Sequence, residues 1–168
     1  MNRSWRDAVG YAVGFLLFVC GIPLLMRVVA GPLAAGTLRL IIFIACAIIG
    51  LGFSVWSIVY MKRVGRGNPL DAFNHELAPR TQRLMTEGPY RLCRNPMLAG
   101  VLLYYAGLQI WLLSWRSLLL FLLFLLIMLF QVRREEQRLE RDFGAAYLKY
   151  KRATPAFLPG AKRLRRTG

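Results

Sequence analysis

Four long stretches of the chain contain no Asp, Glu, Lys or Arg, and this feature constrains the fold more than any other. They cover residues 8–26, 40–61, 95–115 and 117–132, which are 19, 22, 21 and 16 residues long. A helix needs about 20 apolar residues to cross a hydrocarbon core of about 30 Å. The first three stretches meet that length, and the fourth meets it if the long stems of Arg133 and Arg134 reach toward the interface.

The last two stretches are separated only by Arg116. A single helix over residues 97–132 would be about 54 Å long, which is too long for one crossing. The pattern therefore predicts a tight helical hairpin that turns near residues 114–117. We expect an all-α integral membrane protein with about four transmembrane helices, an ordered cytoplasmic loop and a cytoplasmic C-terminal helix. One domain is expected to cover residues 1–168.

The basic residues lie between these stretches, and their distribution predicts the topology. The chain has 23 Lys and Arg against 8 Asp and Glu, and 57% of its residues are hydrophobic. That composition excludes a disordered tail, and the separation of charge into blocks excludes a soluble nucleic-acid binder. Four crossings place 20 basic residues on one side and 3 on the other. Because Lys and Arg stay cytoplasmic, both termini are expected in the cytoplasm. A cleaved signal peptide, the alternative for the first stretch, usually has a shorter apolar run.

The segment 62–94 is too long to be a simple connection in so small a protein, and long loops tend to be functional. It contains His75, the only histidine. Immediately after it, Asn95 and Pro96 suit the start of a helix, since Asn caps helices and Pro favours the first helical position. A helix start flanked by two arginines can bind an anion. The alternative is an ordinary helix start with interfacial arginines.

Beyond residue 132 the apolar residues continue at helical spacing. One face of this segment carries Leu139, Phe143, Tyr147 and Tyr150. The pattern predicts that the fourth membrane helix runs straight on as far as Lys151, with Gly144 weakening it only slightly, before Pro155 and Pro159 end it.

Glu135 and Glu136 lie where this helix leaves the apolar stretch. Adjacent residues on a helix point about 100° apart, so at most one of the two carboxylates can face a shared ligand. The alternative is a solvated collar in which the glutamates pair with neighbouring arginines.

Taken together, these strings resemble one family. Gly88-Pro89-Tyr90-Arg91-x-x-Arg94-Asn95-Pro96-Met97-x-x-Gly100 is followed by Glu135-Glu136, then by Phe143-Gly144-x-x-Tyr147-x-x-Tyr150 and Pro155-x-Phe157-x-Pro159. Their order and spacing are similar to those of the isoprenylcysteine carboxyl methyltransferase and phospholipid methyltransferase superfamily of small integral membrane enzymes. The resemblance covers about residues 65–159. The chain departs from the common pattern at Asn95, Leu98, Tyr105 and Gln131, where family members often have His, Tyr, Trp and Arg.

The resemblance implies S-adenosylmethionine as the cofactor, bound at the cytoplasmic interface, and the chain lacks the Gly-x-Gly-x-x-Gly of a Rossmann domain. The residues implied for cofactor binding are Gln82, Arg83, Leu84, Met85, Tyr90, Asn95, Pro96, Met97, Leu98, Glu135 and Glu136. Arg94 and Glu135 are the implied catalytic residues, and Glu135 is expected to bind the ammonium of the cofactor. The implied substrate-binding residues are His75, Tyr105 and Gln131. His75 has the alternative role of ordering the loop, and no metal is expected.

The implied reaction is methyl transfer to a lipophilic acceptor at the cytoplasmic membrane interface, most like isoprenylcysteine carboxyl methylation. Gln131 stands where prenylcysteine enzymes carry an Arg, and this puts prenylcysteine itself in doubt. The alternatives are a phospholipid N-methyltransferase, a non-catalytic membrane subunit and an NADPH-dependent reductase relative. The expected partners are a lipid or lipidated substrate and membrane lipids, without nucleic acid.

Overall fold

The computed structural model describes residues 13–32, 36–65 and 84–157, and these residues form an all-helical bundle without strands. The helices are α1 (Val13–Ala30), α2 (Thr37–Tyr60), the short α3 (Pro89–Leu92), α4 (Pro96–Leu112) and α5 (Trp115–Ala153). A π-helical turn, Met61–Gly65, extends α2. Three of these helices are long and apolar enough to span a membrane, and α4 is a shorter apolar helix. The all-α membrane fold expected from the sequence is confirmed.

Helices α2 and α4 pack against each other along three glycines. A Cβ atom on Gly100 would collide with the carbonyl oxygen of Gly50, and one on Gly107 would collide with the Cβ of Cys46. The two backbones can therefore approach closely only because these side chains are absent, as is common between membrane helices. The Ser54 hydroxyl adds a hydrogen bond across the same interface, 2.8 Å from the carbonyl oxygen of Met97.

Helix α1 joins the bundle through an irregular turn. Residues Leu16–Gly21 form a π-helical segment, in which the ordinary backbone ladder is interrupted. The Tyr105 hydroxyl donates to the carbonyl oxygen of Phe18 at 2.9 Å, and the Tyr104 hydroxyl donates to that of Val19 at 3.1 Å. Because hydrocarbon offers no water, these hydroxyls satisfy carbonyl groups that would otherwise be costly.

The hairpin between α4 and α5 turns at Leu113 and Ser114, beside the predicted position. Leu113 has a left-handed backbone conformation, with φ of 44°. The Gln109 side-chain amide donates to the Ser114 carbonyl oxygen at 2.9 Å, and the Ser117 hydroxyl lies 2.7 Å from the Gln109 amide oxygen. The turn thus supplies most of its own hydrogen-bond partners.

The prediction of a straight C-terminal helix is wrong at Gly144. This residue has φ of 50° and ψ of −124°, which divides α5 into two helical pieces, 115–143 and 145–153. Glycine tolerates the positive φ because it has no Cβ, so it permits a sharp change of direction rather than a slight weakening. The predicted ordered loop falls mostly on residues 66–83, which lie outside the described part of the chain.

Candidate functional site

The start of α4 and the middle of α5 meet through a charged pair. The guanidinium of Arg94 contacts the carboxylate of Glu136, with Nε 2.9 Å and Nη2 2.5 Å from Oε1. The two side chains are only 9% and 14% exposed. A pair this well shielded keeps much of its electrostatic attraction, and loss of either partner would leave a charge with poor solvation. The helix start and the glutamate pair, which are about 40 residues apart in sequence, are therefore adjacent.

Arg94 also holds the end of the chain beyond the Gly144 break. We call residues 151–156 the C-terminal strap. Nη1 of Arg94 donates to the carbonyl oxygens of Lys151 and Thr154, at 3.1 and 2.6 Å. The backbone N–H of Arg94 donates to the carbonyl oxygen of Pro155 at 2.8 Å. These bonds fasten the strap directly over the start of α4.

Asn95 takes part in the same fastening and does not cap the helix. Its backbone N–H and its side-chain amide both donate to the carbonyl oxygen of Ala156, at 3.1 and 3.2 Å. Its side chain makes no capping hydrogen bond to α4, contrary to the expectation from its residue type. The N–H groups of Met97 and Leu98 precede the first intrahelical bond, which Ala99 donates to Asn95. Helix starts leave such donors for other partners.

Lys151 shows how far the chain turns back after Gly144. Its ammonium lies 3.1 Å from Glu136 and 2.5 Å from Glu140. Residues 136 and 151 would be about 22 Å apart along a straight helix, so the contact requires the break. The pKa of Lys151 is raised, first by its hydrogen bond to Glu140 and then by Glu136, against an opposing effect of partial burial.

The two glutamates have different surroundings, as their helical spacing requires. Glu136 contacts Arg94, whereas Glu135 forms an ion pair with Arg138 one turn further along α5, at 2.6 Å. The Glu135 side chain is 27% exposed, about twice the exposure of Glu136. Glu136 is therefore a structural partner within the described contacts, and Glu135 is the more accessible of the two carboxylates.

Tyr90 lies beside Glu135 with an unused hydroxyl. The side chain is 6% exposed, and no described atom hydrogen-bonds with its phenolic oxygen. Burial raises the pKa of Tyr90 well above its ordinary value, and Tyr150 and Glu135 raise it further. The hydroxyl is therefore protonated at neutral pH and can donate. A buried polar group without a partner in a folded protein calls for an explanation, and a ligand is one.

Two further tyrosines and a cysteine lie among these residues, and together they form the polar cluster around Arg94. The Tyr150 hydroxyl donates to the carbonyl oxygen of Tyr90 at 2.6 Å, and Tyr147 interacts with Arg94. Burial raises the pKa of the fully buried Cys93 to about 11. The sequence placed Tyr147 and Tyr150 on an apolar face and missed these polar contacts. It also missed Lys151 and Thr154, because nothing in the sequence signals that the chain folds back.

The remaining predicted site residues are distributed unevenly. Leu84 and Met85 are half-buried in the segment before α3, Pro96 is buried, and Met97 and Leu98 are half-buried. Tyr105 is not brought to the cluster, because it is fully buried in the bundle core and stacked on Phe124 at 4.6 Å. Gln131 is half-buried on α5, one turn before Glu135. Gln82, Arg83 and His75 lie outside the described residues.

The described cluster combines anchored charges with available donors. Glu135 interacts electrostatically with Tyr90, and its neighbour Glu136 contacts Arg94 at the start of α4, so this part of the molecule offers groups for a ligand bearing both charges. Among residues 13–32, 36–65 and 84–157, no group of three or more His, Cys, Asp or Glu side chains could hold a metal ion.

Comparison with known proteins gives one match. The model of a family described as phospholipid methyltransferase matches residues 38–146, which include α2 except for Thr37, all of α4, Arg94 and both glutamates. No curated protein and no solved structure matches the chain.

Proposed function

Because this chain belongs to the phospholipid methyltransferase family of membrane methyltransferases, we propose that it transfers a methyl group from S-adenosylmethionine to a lipophilic acceptor at the membrane interface. The observation that carries the proposal is the contact between Arg94 and Glu136. It brings the start of α4 next to the glutamate pair, so that donors for an anion and a carboxylate for a cation lie within one small region. The interface in question is the one with most basic residues, which we expect to face the cytoplasm.

The residues present fit the methionyl end of S-adenosylmethionine, which carries a carboxylate and an ammonium. In our proposal Glu135 binds the ammonium, and the N–H groups of Met97 and Leu98 bind the carboxylate. Tyr90 supplies its hydroxyl, which has no hydrogen-bond partner among the described residues, to the same ligand. The other proposed cofactor contacts are Gln82, Arg83, Leu84, Met85, Asn95 and Pro96, with Glu136 as a neighbour.

Arg94 enters the proposal as a positioning residue. Its guanidinium is engaged by Glu136 and by two carbonyl oxygens of the C-terminal strap. It therefore holds the helix start, the glutamates and the strap in a fixed arrangement rather than serving as a mobile cation for the ligand. Bound S-adenosylmethionine would supply an electrophilic methyl group on a sulfonium. The task of the protein is then to hold the acceptor in line and exclude water.

The acceptor class depends on the group that Gln131 would present to it. A carboxylate acceptor, as in isoprenylcysteine methylation, needs no proton removal but needs a cationic or neutral donor nearby. An amine acceptor, as in phospholipid methylation, must lose a proton, which it can release to water at the interface, so it needs no cationic partner in the site. Gln131 in place of the Arg of prenylcysteine enzymes makes the amine the stronger candidate. His75, Gln131 and Tyr105 remain the proposed substrate-binding residues.

Calorimetric titration of the detergent-solubilised protein with S-adenosylmethionine tests cofactor binding. Glu135→Gln removes the proposed ammonium partner, and we expect affinity to fall by about tenfold or more. Asp142→Asn is the matched control, because this carboxylate is exposed on the same helix. Equal affinities for the two variants would move the site away from Glu135. No binding of S-adenosylmethionine by the parent protein, or binding of NADPH instead, would overturn the proposed function.

A second experiment identifies the acceptor class. Membrane extracts are incubated with the protein and methyl-labelled S-adenosylmethionine, and the lipid fraction is then treated with mild alkali. A methyl ester releases its label as methanol under these conditions, whereas an N-methyl group retains it. Label that stays non-volatile, on the headgroup that the alkali releases from the phospholipid, is the expected result, and volatile label would point to a carboxylate acceptor. A binding-defective variant such as Glu135→Gln provides the blank.

A further inference from the structure

The apolar spans of the neighbouring helices differ in length. On α2, residues 40–61 are uncharged, and these 22 residues are about 33 Å long. On α5, only the 16 residues 117–132 are uncharged, which is about 24 Å. Helix α4 has 17 residues and is about 26 Å long. The uncharged run of α2 thus matches an ordinary hydrocarbon core of about 30 Å, whereas the helical length of α4 and the uncharged run of α5 are shorter than that core by about 4 and 6 Å before any reach of the arginine stems is counted.

The packing of α2 on α4 shows at which end the difference arises. The ring of Trp111, near the end of α4, stacks on Phe43 near the start of α2, with centroids 5.3 Å apart. At the other end, Ser54 bonds to Met97, so α4 begins at the level of Ser54. The chain stays uncharged from there through Met61, a further seven residues or about 10 Å. The excess length of α2 therefore lies on the side of Arg94 and Glu136.

Both ends of the apolar part of α5 carry an arginine that lies over an aromatic ring. The Arg116 guanidinium lies 5.7 Å from the Trp115 ring centroid, and the Arg134 guanidinium lies 4.7 Å from that of Phe130. Trp115 is 68% exposed and Phe130 is 58% exposed. Aromatic and basic side chains of this kind anchor helices at the two membrane–water interfaces. The anchors are 18 residues apart, or about 27 Å along the helix.

Tilting of α5 cannot make up the difference between its apolar length and the thickness of the hydrocarbon core. A helix longer than the hydrocarbon core can tilt, so α2 can adapt, but tilt makes a short helix shorter across the bilayer. The remaining adjustments are a thinner local bilayer and longer reach by the arginine stems. Neither depends on the methyltransferase reaction, so the inference stands apart from the proposed function.

We propose that the outward face of α5, from Trp115 to Arg134, binds phospholipids with short acyl chains in preference to longer ones and thins the bilayer beside it. The occupant is a shell of phospholipids whose chains match the distance between the two anchors. The headgroup layer then descends on the Arg94 side toward the level of the Arg94–Glu136 pair. A lipid in this shell has its headgroup beside the charged cluster without leaving the membrane.

Quenching of tryptophan fluorescence by brominated phospholipid tests the proposal on the full chain in phosphatidylcholine vesicles. Unlabelled phosphatidylcholines with monounsaturated chains of 14, 18 and 22 carbons compete with the brominated lipid. We expect the 14-carbon lipid to compete about threefold better than the 22-carbon lipid, since mismatch costs fractions of a kcal/mol per Å. Equal competition at all lengths, or strongest competition at 18 carbons or more, would overturn the proposal.

A pair of variants connects the preference to α5. Arg133→Leu with Arg134→Leu extends the uncharged run from 16 to 18 residues, and we expect the optimum to move to longer chains. Arg141→Leu with Lys149→Leu removes the same charge from exposed positions outside the run. The control pair should leave the optimum unchanged. An equal movement for both pairs would attribute the preference to net charge and contradict the proposal.

Discussion

Helix α4 is held in two places by two different kinds of contact, close backbone packing in its middle and polar bonds at its start. In its middle, Gly100 and Gly107 let its backbone meet α2 with almost no side chain between them. At its start, Arg94 and Asn95 are held by hydrogen bonds and an ion pair to Glu136 and the C-terminal strap. In hydrocarbon, close packing stabilises a helix pair without a solvent-driven hydrophobic effect. At the membrane interface, hydrogen bonds between protein groups compete with hydrogen bonds to water, so they can break and re-form.

Because the contacts differ, we expect the two regions to lose their structure separately. Loss of packing between α2 and α4 affects the whole bundle, whereas loss of the polar contacts should release only the strap. Cys93 offers a local readout, because it is fully buried and its pKa is raised to about 11 by burial. Release of the strap exposes this thiol and lowers its pKa, so alkylation accelerates. Replacing Cys20 and Cys46, the other two cysteines, makes the measurement specific.

The largest effect is expected for Arg94→Met. This change leaves Glu136 shielded without its guanidinium and removes two bonds to strap carbonyls, which together are worth about 3 kcal/mol or more. Cys93 alkylation should accelerate by about tenfold or more while the thermal transition of the bundle changes little. Arg141→Met, at an exposed position of the same helix as Glu136, is the control. Alkylation at the parent rate in Arg94→Met would show that the strap is held by other contacts.

Gly100→Ala should produce the opposite pattern. The new Cβ would collide with the carbonyl oxygen of Gly50 and the hydroxyl of Ser54, so the helices must separate, at a cost of about 1–3 kcal/mol. We expect a lower thermal midpoint by tryptophan fluorescence in detergent and nearly unchanged Cys93 alkylation below the transition. Gly52→Ala is the control, because a Cβ there meets no atom within 4 Å. Similar midpoints for the two variants would contradict the importance of this crossing.

Tyr150→Phe should release the strap more weakly than Arg94→Met. It deletes the hydroxyl that donates to the Tyr90 carbonyl oxygen at 2.6 Å, and a bond of this kind contributes about 1 kcal/mol. Cys93 alkylation should therefore rise by about fivefold. Tyr60→Phe removes a hydroxyl from the ring that faces Tyr90 across 6.2 Å and serves as the comparison. A larger effect in Tyr60→Phe would place the critical contact on α2 instead.

Lys151→Gln should have the smallest effect. The ammonium is partly exposed, so its pairs with Glu136 and Glu140 are weakened by solvent and contribute less than about 1 kcal/mol. Because the pKa of Lys151 is raised above 10.5, its stabilising contribution is complete below that pH and is lost only as pH rises through the raised value. The alkylation ratio of variant to parent should be constant between about pH 6 and 9. A ratio that changes within this range would indicate another titrating group.

The sequence predicted those features that arise from local chemistry. The uncharged runs predicted the apolar helices, and Pro96 predicted the start of α4. Helical spacing indicated that the two glutamates point in different directions, and only Glu136 contacts Arg94. It could not predict features created by distant contacts. The chain turns sharply at Gly144 because Arg94 and Glu136 bind the residues that follow it. The Asn95 side chain donates to the carbonyl oxygen of Ala156 and therefore does not cap α4. The roles of Tyr90 and Glu135 toward a cofactor remain predictions.

The irregular turn in α1 has a consequence for the order of assembly. The carbonyl groups of Phe18 and Val19 receive their hydroxyl donors from residues 87 and 85 positions later in the chain. During synthesis the first helix enters the membrane before those tyrosines have been made. Its final shape therefore depends on the later arrival of α4. A nascent chain halted before Tyr104 would lack both tyrosine hydroxyls, so its first helix could not yet make these two hydrogen bonds.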